Sequence, residues 1–303
     1  MKTRASGKLK GYLVSYGFTL PYMLVFITFT VAPVAASIIL SFTNFDMLQI
    51  PKFMRISNYT QLFMKDDIFP VAARNTLFFA LITGPLGYIL CFMFAWMINE
   101  LSPRLRAVLT LFFYAPSIAG NMSVIWTIIF SGDDHGLLNG TLMRLGILSG
   151  PVLWLKDVRY MAAVMVVVIL WSSLGASFLA FIAGFQSIDR SLFEAGSVDG
   201  IRNRWQELWY ITLPAMRPQL MFGAVMSISS SFGIGTVITG LVGFPSTDYA
   251  VHTLVHHLED YGTVRYQMGY ASAIATVLFV IMVLSNKLVQ KIIAGLGSWG
   301  ESE

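Results

Sequence analysis

Three histidines, His252, His256 and His257, stand beside Glu259 and Asp260 in the C-terminal part of the chain. His252 and His256 are four residues apart, which on a helix puts two imidazoles on one face in the manner of a chelating pair. No His-Glu-x-x-His pattern and no cysteine ligand accompanies them. They are read as polar residues of a solvated helix at an outer surface, and no metal is expected. Asp133-Asp134-His135-Gly136 has the chemistry of a turn. Hydroxyl groups cluster elsewhere, at Ser172-Ser173 and at Ser227 with Ser229-Ser230-Ser231; Trp171, Tyr114 and Asn121 lie in similarly apolar surroundings. Small hydroxylated residues let helices pack closely. Hydroxyls, amides and aromatic rings are also what a cavity for a neutral, hydroxylated solute needs. The single Gly-Lys pair, Gly7-Lys8, is followed by Leu9, so there is no nucleotide-binding P-loop and no cofactor is assigned to this chain. The apolar segments hold no histidine or carboxylate, so no nucleophile, base and acid can be assembled inside them, and an enzyme is not expected.

These groups must be positioned by elements of an unusual composition. Of 303 residues, 56% are hydrophobic and 12% charged, and the mean hydropathy is +0.68. A soluble domain carries about 25% charged residues; this chain cannot cover a water-facing surface and reads as an all-α integral membrane protein. The formal charge of +4 does not indicate nucleic acid, because the basic residues sit at segment ends, where they anchor spans. Cys91 is the only cysteine, which excludes an intramolecular disulfide; inside an apolar segment it reads as a small core residue.

Charge-free runs at 11–45, 75–99, 107–132, 160–188, 218–247 and 266–286 predict six spans, at about 16–41, 75–99, 107–131, 160–185, 218–244 and 266–288. Each exceeds the roughly 20 residues that cross a bilayer as a helix. The basic start (Lys2, Arg4, Lys8, Lys10) followed by an apolar run resembles a signal peptide, but the uncharged run from Gly11 to Phe45 is too long for one and reads as a retained first span. Residues 1–303 are expected to form one membrane domain. Six spans place both termini on one side. The termini and the loops on their side carry twelve Lys and Arg against eight on the other, which predicts cytoplasmic termini. The charge-free runs hold no Asp, Glu, Lys, Arg or His, whereas proton-coupled carriers and ion pumps need ionisable groups at membrane depth. The pathway predicted is one for a neutral solute, driven from outside the spans.

The loop 187–217, between the fourth and fifth spans, is the most strongly punctuated stretch. Ser191-x-x-Glu194 predicts a capping box, and Asp199-Gly200 predicts a helix stop. Asn203-x-x-Gln206 repeats the start signal, and Trp205, Leu208 and Trp209 predict one apolar helical face. The expected structure is a short helix, a glycine turn and a second short helix on the cytoplasmic side.

Glu194-Ala195-Gly196, then Gly200, then Ile211-x-Leu213-Pro214 closely resembles the EAA loop of the permease subunits of bacterial binding-protein-dependent ABC importers. Gly196 replaces that pattern's second alanine. Ten residues, not nine, separate Gly200 from Ile211, which would rotate the second helix by roughly 100°. Asn58-Tyr59-x-x-Leu62-Phe63, Gly136-Leu137-Leu138-Asn139 and Trp154-Leu155 are similar to elements of the carbohydrate-uptake branch, so the resemblance covers nearly the whole chain. It implies six transmembrane helices in the bacterial plasma membrane, with a coupling helix in the loop between the fourth and fifth. Glu194, Ala195, Gly196, Asp199, Gly200, Arg202, Arg204 and Trp205 would meet a separate cytoplasmic ATPase. Tyr114, Asn121, Trp171, Ser172, Ser173, Ser227, Ser230 and Ser231 are the candidates for the solute pathway. The partners implied are a second, homologous permease, two ATPase subunits that hold ATP and Mg, an extracytoplasmic solute-binding protein and membrane lipid. A neutral oligosaccharide is the expected solute. Glycerol phosphate is the competitor, although it would favour a cavity-facing Arg or Lys, and a secondary transporter is a remoter alternative.

Overall fold

The computed structural model describes residues 16–118 and 122–297. The basic tail (Lys2 to Lys10) and Asn121 lie outside the described residues. The described chain is helical, with an isolated antiparallel bridge between Thr43 and Phe53. Three continuous helices are long and apolar enough to cross a membrane: Tyr16–Leu40 (α1), Phe69–Asn99 and Met268–Ile292. The second lies within α3 (Ile68–Asn99) and the third within α14 (Met268–Gly297), while α2 (Ser57–Met64) is short. Three pairs are broken: α4 (Pro103–Ile118) with α5 (Met122–Ile129), α7 (Val158–Ser172) with α8 (Ala176–Ser187), and α11 (Arg217–Phe232) with α12 (Gly235–Val242). Counting each pair as one gives up to six spans. A short α6 (Leu137–Arg144) follows α5, and α9 (Arg190–Val198) and α10 (Arg204–Glu207) lie between α8 and α11; α13 (Leu254–Glu259) precedes α14.

The breaks have local causes. Ser172 and Ser173 hydroxyls donate back to the carbonyls of Val168 and Leu170, and Gly175 follows at φ −117°, ψ −133°. Ser230 and Ser231 donate likewise to Ser227 and Ile228, and Gly233 follows. Hydroxyls that compete for helix carbonyls loosen the ladder, and glycine supplies the freedom to leave it. The two pairs bend by 40° and 42°. Pro85 sits inside α3 without breaking it. That helix begins at Ile68 rather than at 75, carrying Arg74 within it. At 32 residues it is about 48 Å long, longer than the ~30 Å hydrocarbon layer, so a charge near its end does not mark where it stops.

Contacts divide the described residues into two compact units. The first holds the residues up to Asp66 together with Leu258–Val277. Here Asn58 donates to the carbonyls of Ser41 and Thr43, just past the end of α1. Tyr59 hydrogen-bonds Ser41 at 2.8 Å, and the Gly269 N–H donates to the Phe45 carbonyl. α1 itself is exposed all round, as a span facing lipid or another chain must be. The second unit holds Asp67–His257 and the residues from Leu278 on. Its centre is α3. One side of α3 packs Phe79 with Met161, Met165, Val168 and Ile238. Another packs Cys91, Ala95 and Ile98 with Phe178, Phe181 and Met216, so Cys91 is the core residue expected.

The three histidines overturn one expectation. His252, His256 and His257 are 2%, 2% and 1% exposed, not solvated. Asn75 of α3 donates to the carbonyls of Tyr249, Ala250 and His252, and Thr76 accepts from the Leu254 N–H. These bonds fold the loop onto α3, and Phe244 stacks on His252 and His256. The Thr253 N–H donates to His256 Nδ1 at 3.1 Å, so the proton of the neutral ring is on Nε2 and points to the Gly235 carbonyl and the Thr239 hydroxyl, each 3.1 Å away. No group of three or more metal-ligating side chains occurs among the described residues.

Candidate functional site

Two places carry the sequence candidates: the 187–217 hairpin and a cavity in the second unit. In the hairpin, α9 starts two residues earlier than the Ser191 capping box predicts. Asp189 (φ −67°, ψ 131°) is the N-cap, and its carboxylate accepts from the Ser191 N–H at 3.0 Å. That bond holds the Asp189 carboxyl below its ordinary range. A carboxylate at a helix N-terminus also gains from the helix dipole, and Asp189 therefore takes the position that Ser191 would have filled. Glu194 and Ala195 lie exposed on the helix.

The glycine stop is as expected. α9 ends at Val198, Gly200 takes φ +95°, and the Ile201 N–H donates to the Gly196 carbonyl at 2.9 Å, a Schellman closure. Gly196 is buried: a Cβ there would lie 2.7 Å from Ile211 Cδ1 and 3.0 Å from Ile201 Cδ1. Its smallness thus lets the second arm close on the first. Asn203 caps the second arm through the Gln206 N–H at 2.9 Å, and Gln206 Oε1 accepts from the Arg202 N–H at 2.8 Å. The capping pair predicted there is present. Leu208–Thr212 then forms a π turn. A π turn holds one residue more than an α turn, and this one includes Ile211.

The apolar face predicted for the second arm is only partly buried. Leu208 is buried, but Trp205 and Trp209 are 67% and 66% exposed. Trp205 contacts the Trp96 ring of α3 at 5.1 Å. Arg204 pairs with Glu207 and with Glu100, just past α3, each at 2.8 Å. Arg202, Asp199 and Gly200 are exposed.

The cavity has a volume of about 450 Å³ and opens where two of the broken spans bend. Ser172, Ser173 and Gly175 line it at one break, and Ser230, Thr236 and Val237 at the other. Pro116, Ser117, Ser123, Trp126 and Ser177 complete the polar and aromatic part of the wall, and among the described residues no ionisable side chain lines it. Of the sequence candidates, Ser172, Ser173 and Ser230 reach the cavity. Tyr114, Trp171, Ser227 and Ser231 do not line it. Trp171 packs edge-on to Trp126, Ser227 bonds Ser177 at 3.3 Å, and Ser231 lies against Gly84. Ser173 is similarly close to Gly87, so close packing and cavity lining coincide in one residue. Asn121 is outside the described residues. Ser117, Ser123, Trp126, Ser177 and Thr236 were missed. Their signal was proximity to Pro116, Gly175 and Gly235, because freed backbone and small polar groups gather at the breaks of membrane helices.

A membrane permease is the class this arrangement of spans, broken helices and uncharged cavity defines. Residues 84–295 match the family model "Binding-protein-dependent transport system inner membrane component", and the chain belongs to that family. It is 32% identical over 288 residues to the probable ABC transporter permease protein YesP of Bacillus subtilis (strain 168), covering 93% of this chain and 91% of that protein. It is 27% identical to the lactose transport system permease protein LacF of Rhizobium radiobacter, covering 94% and 95%. A solved bacterial alginate ABC transporter, in complex with an alginate pentasaccharide-bound periplasmic protein, has a chain of the same fold. The TM-score is 0.75 at 22% identity, with 95% of this chain and 97% of that chain covered. The protein is accordingly a membrane-embedded permease component of a binding-protein-dependent ABC importer.

Proposed function

We propose that this chain forms, as one membrane domain of six spans, half of the translocation pathway for a neutral oligosaccharide. The observation that carries the reading is the cavity wall: seven hydroxyls (Ser117, Ser123, Ser172, Ser173, Ser177, Ser230, Thr236) and the Trp126 ring, with no charge. Hydroxyls exchange hydrogen bonds with sugar hydroxyls, and an indole face packs on the apolar face of a pyranose. A phosphorylated or acidic solute would need a cation or convergent N–H groups, and no lining side chain supplies the cation. The similar permease named for lactose transport supports the sugar class.

The hairpin is the docking element for a separate ATPase that binds ATP and Mg. α9 is short, rigidly capped at both ends, and leaves Val198 at its tip 88% exposed, an apolar knob suited to a groove. Glu194, Ala195, Gly196, Asp199, Gly200, Arg202, Arg204 and Trp205 form or brace this surface. The complete importer then needs a second, homologous permease, two ATPase subunits and an extracytoplasmic binding protein; the hairpin and both termini face the cytoplasm. Import by the reconstituted complex should be measured with neutral oligosaccharides, a uronate oligomer and glycerol phosphate in parallel. Saturable uptake of a neutral oligosaccharide that falls at least tenfold in a Trp126→Ala, Ser172→Ala double variant is expected. Uptake of only the charged solutes would overturn the substrate assignment.

A further inference from the structure

The hairpin is tied to α3 at two points besides its covalent ends. Arg204 Nη2 lies 2.8 Å from Glu100 Oε2, and the Trp205 ring meets the Trp96 ring at 5.1 Å and 58°. Arg204 is also held by Glu207 at 2.8 Å, so its guanidinium is braced on its own helix while it reaches α3. The end of α3 is itself closed: Arg106 Nη2 donates to the carbonyls of Asn99 and Leu101. Four residues before Ala95, Cys91 Sγ reaches the Ser173 carbonyl at 3.3 Å. One turn further on, a Cβ at Gly87 would lie 3.1 Å from Ser173 Oγ. Ser173 lines the cavity at the break between α7 and α8. Along α3, Gly87, Cys91 and Ala95 follow at i, i+4 spacing on one side of the helix. Trp96 and Glu100 continue past them toward the hairpin over about 20 Å.

We propose that Glu100 and Trp96 are positioning residues of transport: with Arg204 and Trp205 they form a strap that passes displacement of the hairpin into α3, and through Cys91 and Gly87 to Ser173 at the cavity. This rests on the reading of the hairpin as the ATPase-docking element. The strap supplies a second route to the cavity, parallel to the covalent one through α8 and α11. A rigid helix moves as a unit when its end is pulled, so a contact at Glu100 acts at the depth of Gly87. The Arg204 and Glu100 side chains are 63% and 40% exposed, and an ion pair so well hydrated adds little to fold stability. Its purpose must be sought in what it links rather than in what it stabilises.

The test uses the whole importer, reconstituted in vesicles, with three readouts: ATPase subunits retained on purification, ATP hydrolysed, and solute imported per ATP. Glu100→Arg and Trp96→Ala should retain the ATPase and hydrolyse ATP within about twofold of the parent, while import per ATP falls at least fivefold. Glu100→Asp, which keeps the charge, should recover most of the loss seen in Glu100→Arg. Adding Glu100→Arg to Arg204→Glu should raise import per ATP above that of Arg204→Glu alone. Unchanged import per ATP in both Glu100→Arg and Trp96→Ala overturns the strap, as does a charge exchange that recovers nothing. Loss of the ATPase from the Glu100→Arg complex also overturns it, because Glu100 would then act in docking. The docking reading is tested separately by Gly200→Asp: a complex with that change that keeps its ATPase and full stimulated hydrolysis defeats the docking reading, whatever the strap variants do.

Discussion

Single polar residues hold the loops of this protein in place, and three of them are asparagines. Asn139 is fully buried and donates to the carbonyls of Ser131, Asp133 and Val152, while its own oxygen accepts from the Val152 N–H and the Trp154 indole. Asn58 and Asn75 perform the same task at other loops. An amide side chain offers two donors and an acceptor at one point, so it can gather several loop carbonyls that have no helix partner. Replacing Asn139 by Ala strands all of these groups and should cost about 2–4 kcal/mol, read as a lowered melting temperature of the purified protein. His256 makes a pH-dependent contribution. Burial holds its imidazole below the ordinary histidine value, against the opposing bond to the Gly235 carbonyl. Its neighbours are the hydroxyls of Thr253 and Thr239, the Phe244 ring and the His252 ring. A depressed pKa means that the unfolded chain takes up a proton first. The stabilisation is complete above about pH 6.5 and is lost as the pH falls below it. Thermal melts from pH 8 to 5 should show a decline that is smaller in a His256→Gln variant.

At the scale of elements, the hairpin shows how local signals compete. Ser191 and Asp189 are both able to cap α9, and the charged side chain at the chain's turn into the helix prevails. The Gly200 stop and the Asn203–Gln206 start have no competitor and stand where their residues predict. The extra residue before Ile211 has no local signature, and Leu208–Thr212 forms a π turn. If the π turn stores that residue, deleting Tyr210, which is 68% exposed, should close it to an α turn. Transport by the Tyr210 deletion should then stay within about twofold of the parent. A one-residue deletion in the regular helix α11, at Met226, turns everything beyond it by about 100° and should abolish transport. Uptake assays in vesicles compare the two deletions.

At the scale of the molecule, the proposed docking of an ATPase on the hairpin requires the hairpin to face the cytoplasm. The charge asymmetry predicts the cytoplasm. A Cys91→Ala, Val198→Cys variant puts its sole thiol on the 88%-exposed tip of α9. In right-side-out membranes that thiol should react with an impermeant maleimide only after permeabilisation. Labelling in intact cells would place the hairpin outside and reverse the assignment of the cytoplasmic face. Because Cys91 is buried in the core beside Ser173, the Cys91→Ala background must first be shown to transport.

The sequence by itself determined that this chain lives in a membrane, where its apolar runs lie, that those runs carry no charge, and where the hairpin turns. Each follows from composition or from spacing within a few residues, where the physics is local. The tertiary structure alone decided that Ser230 lines the cavity while its neighbour Ser231 packs against Gly84, since the two have the same surroundings in sequence. It alone buried the histidines, because Asn75 and Thr76, some 175 residues away, close the loop over them. It alone brought Glu100 to Arg204, a contact between residues that no local pattern relates.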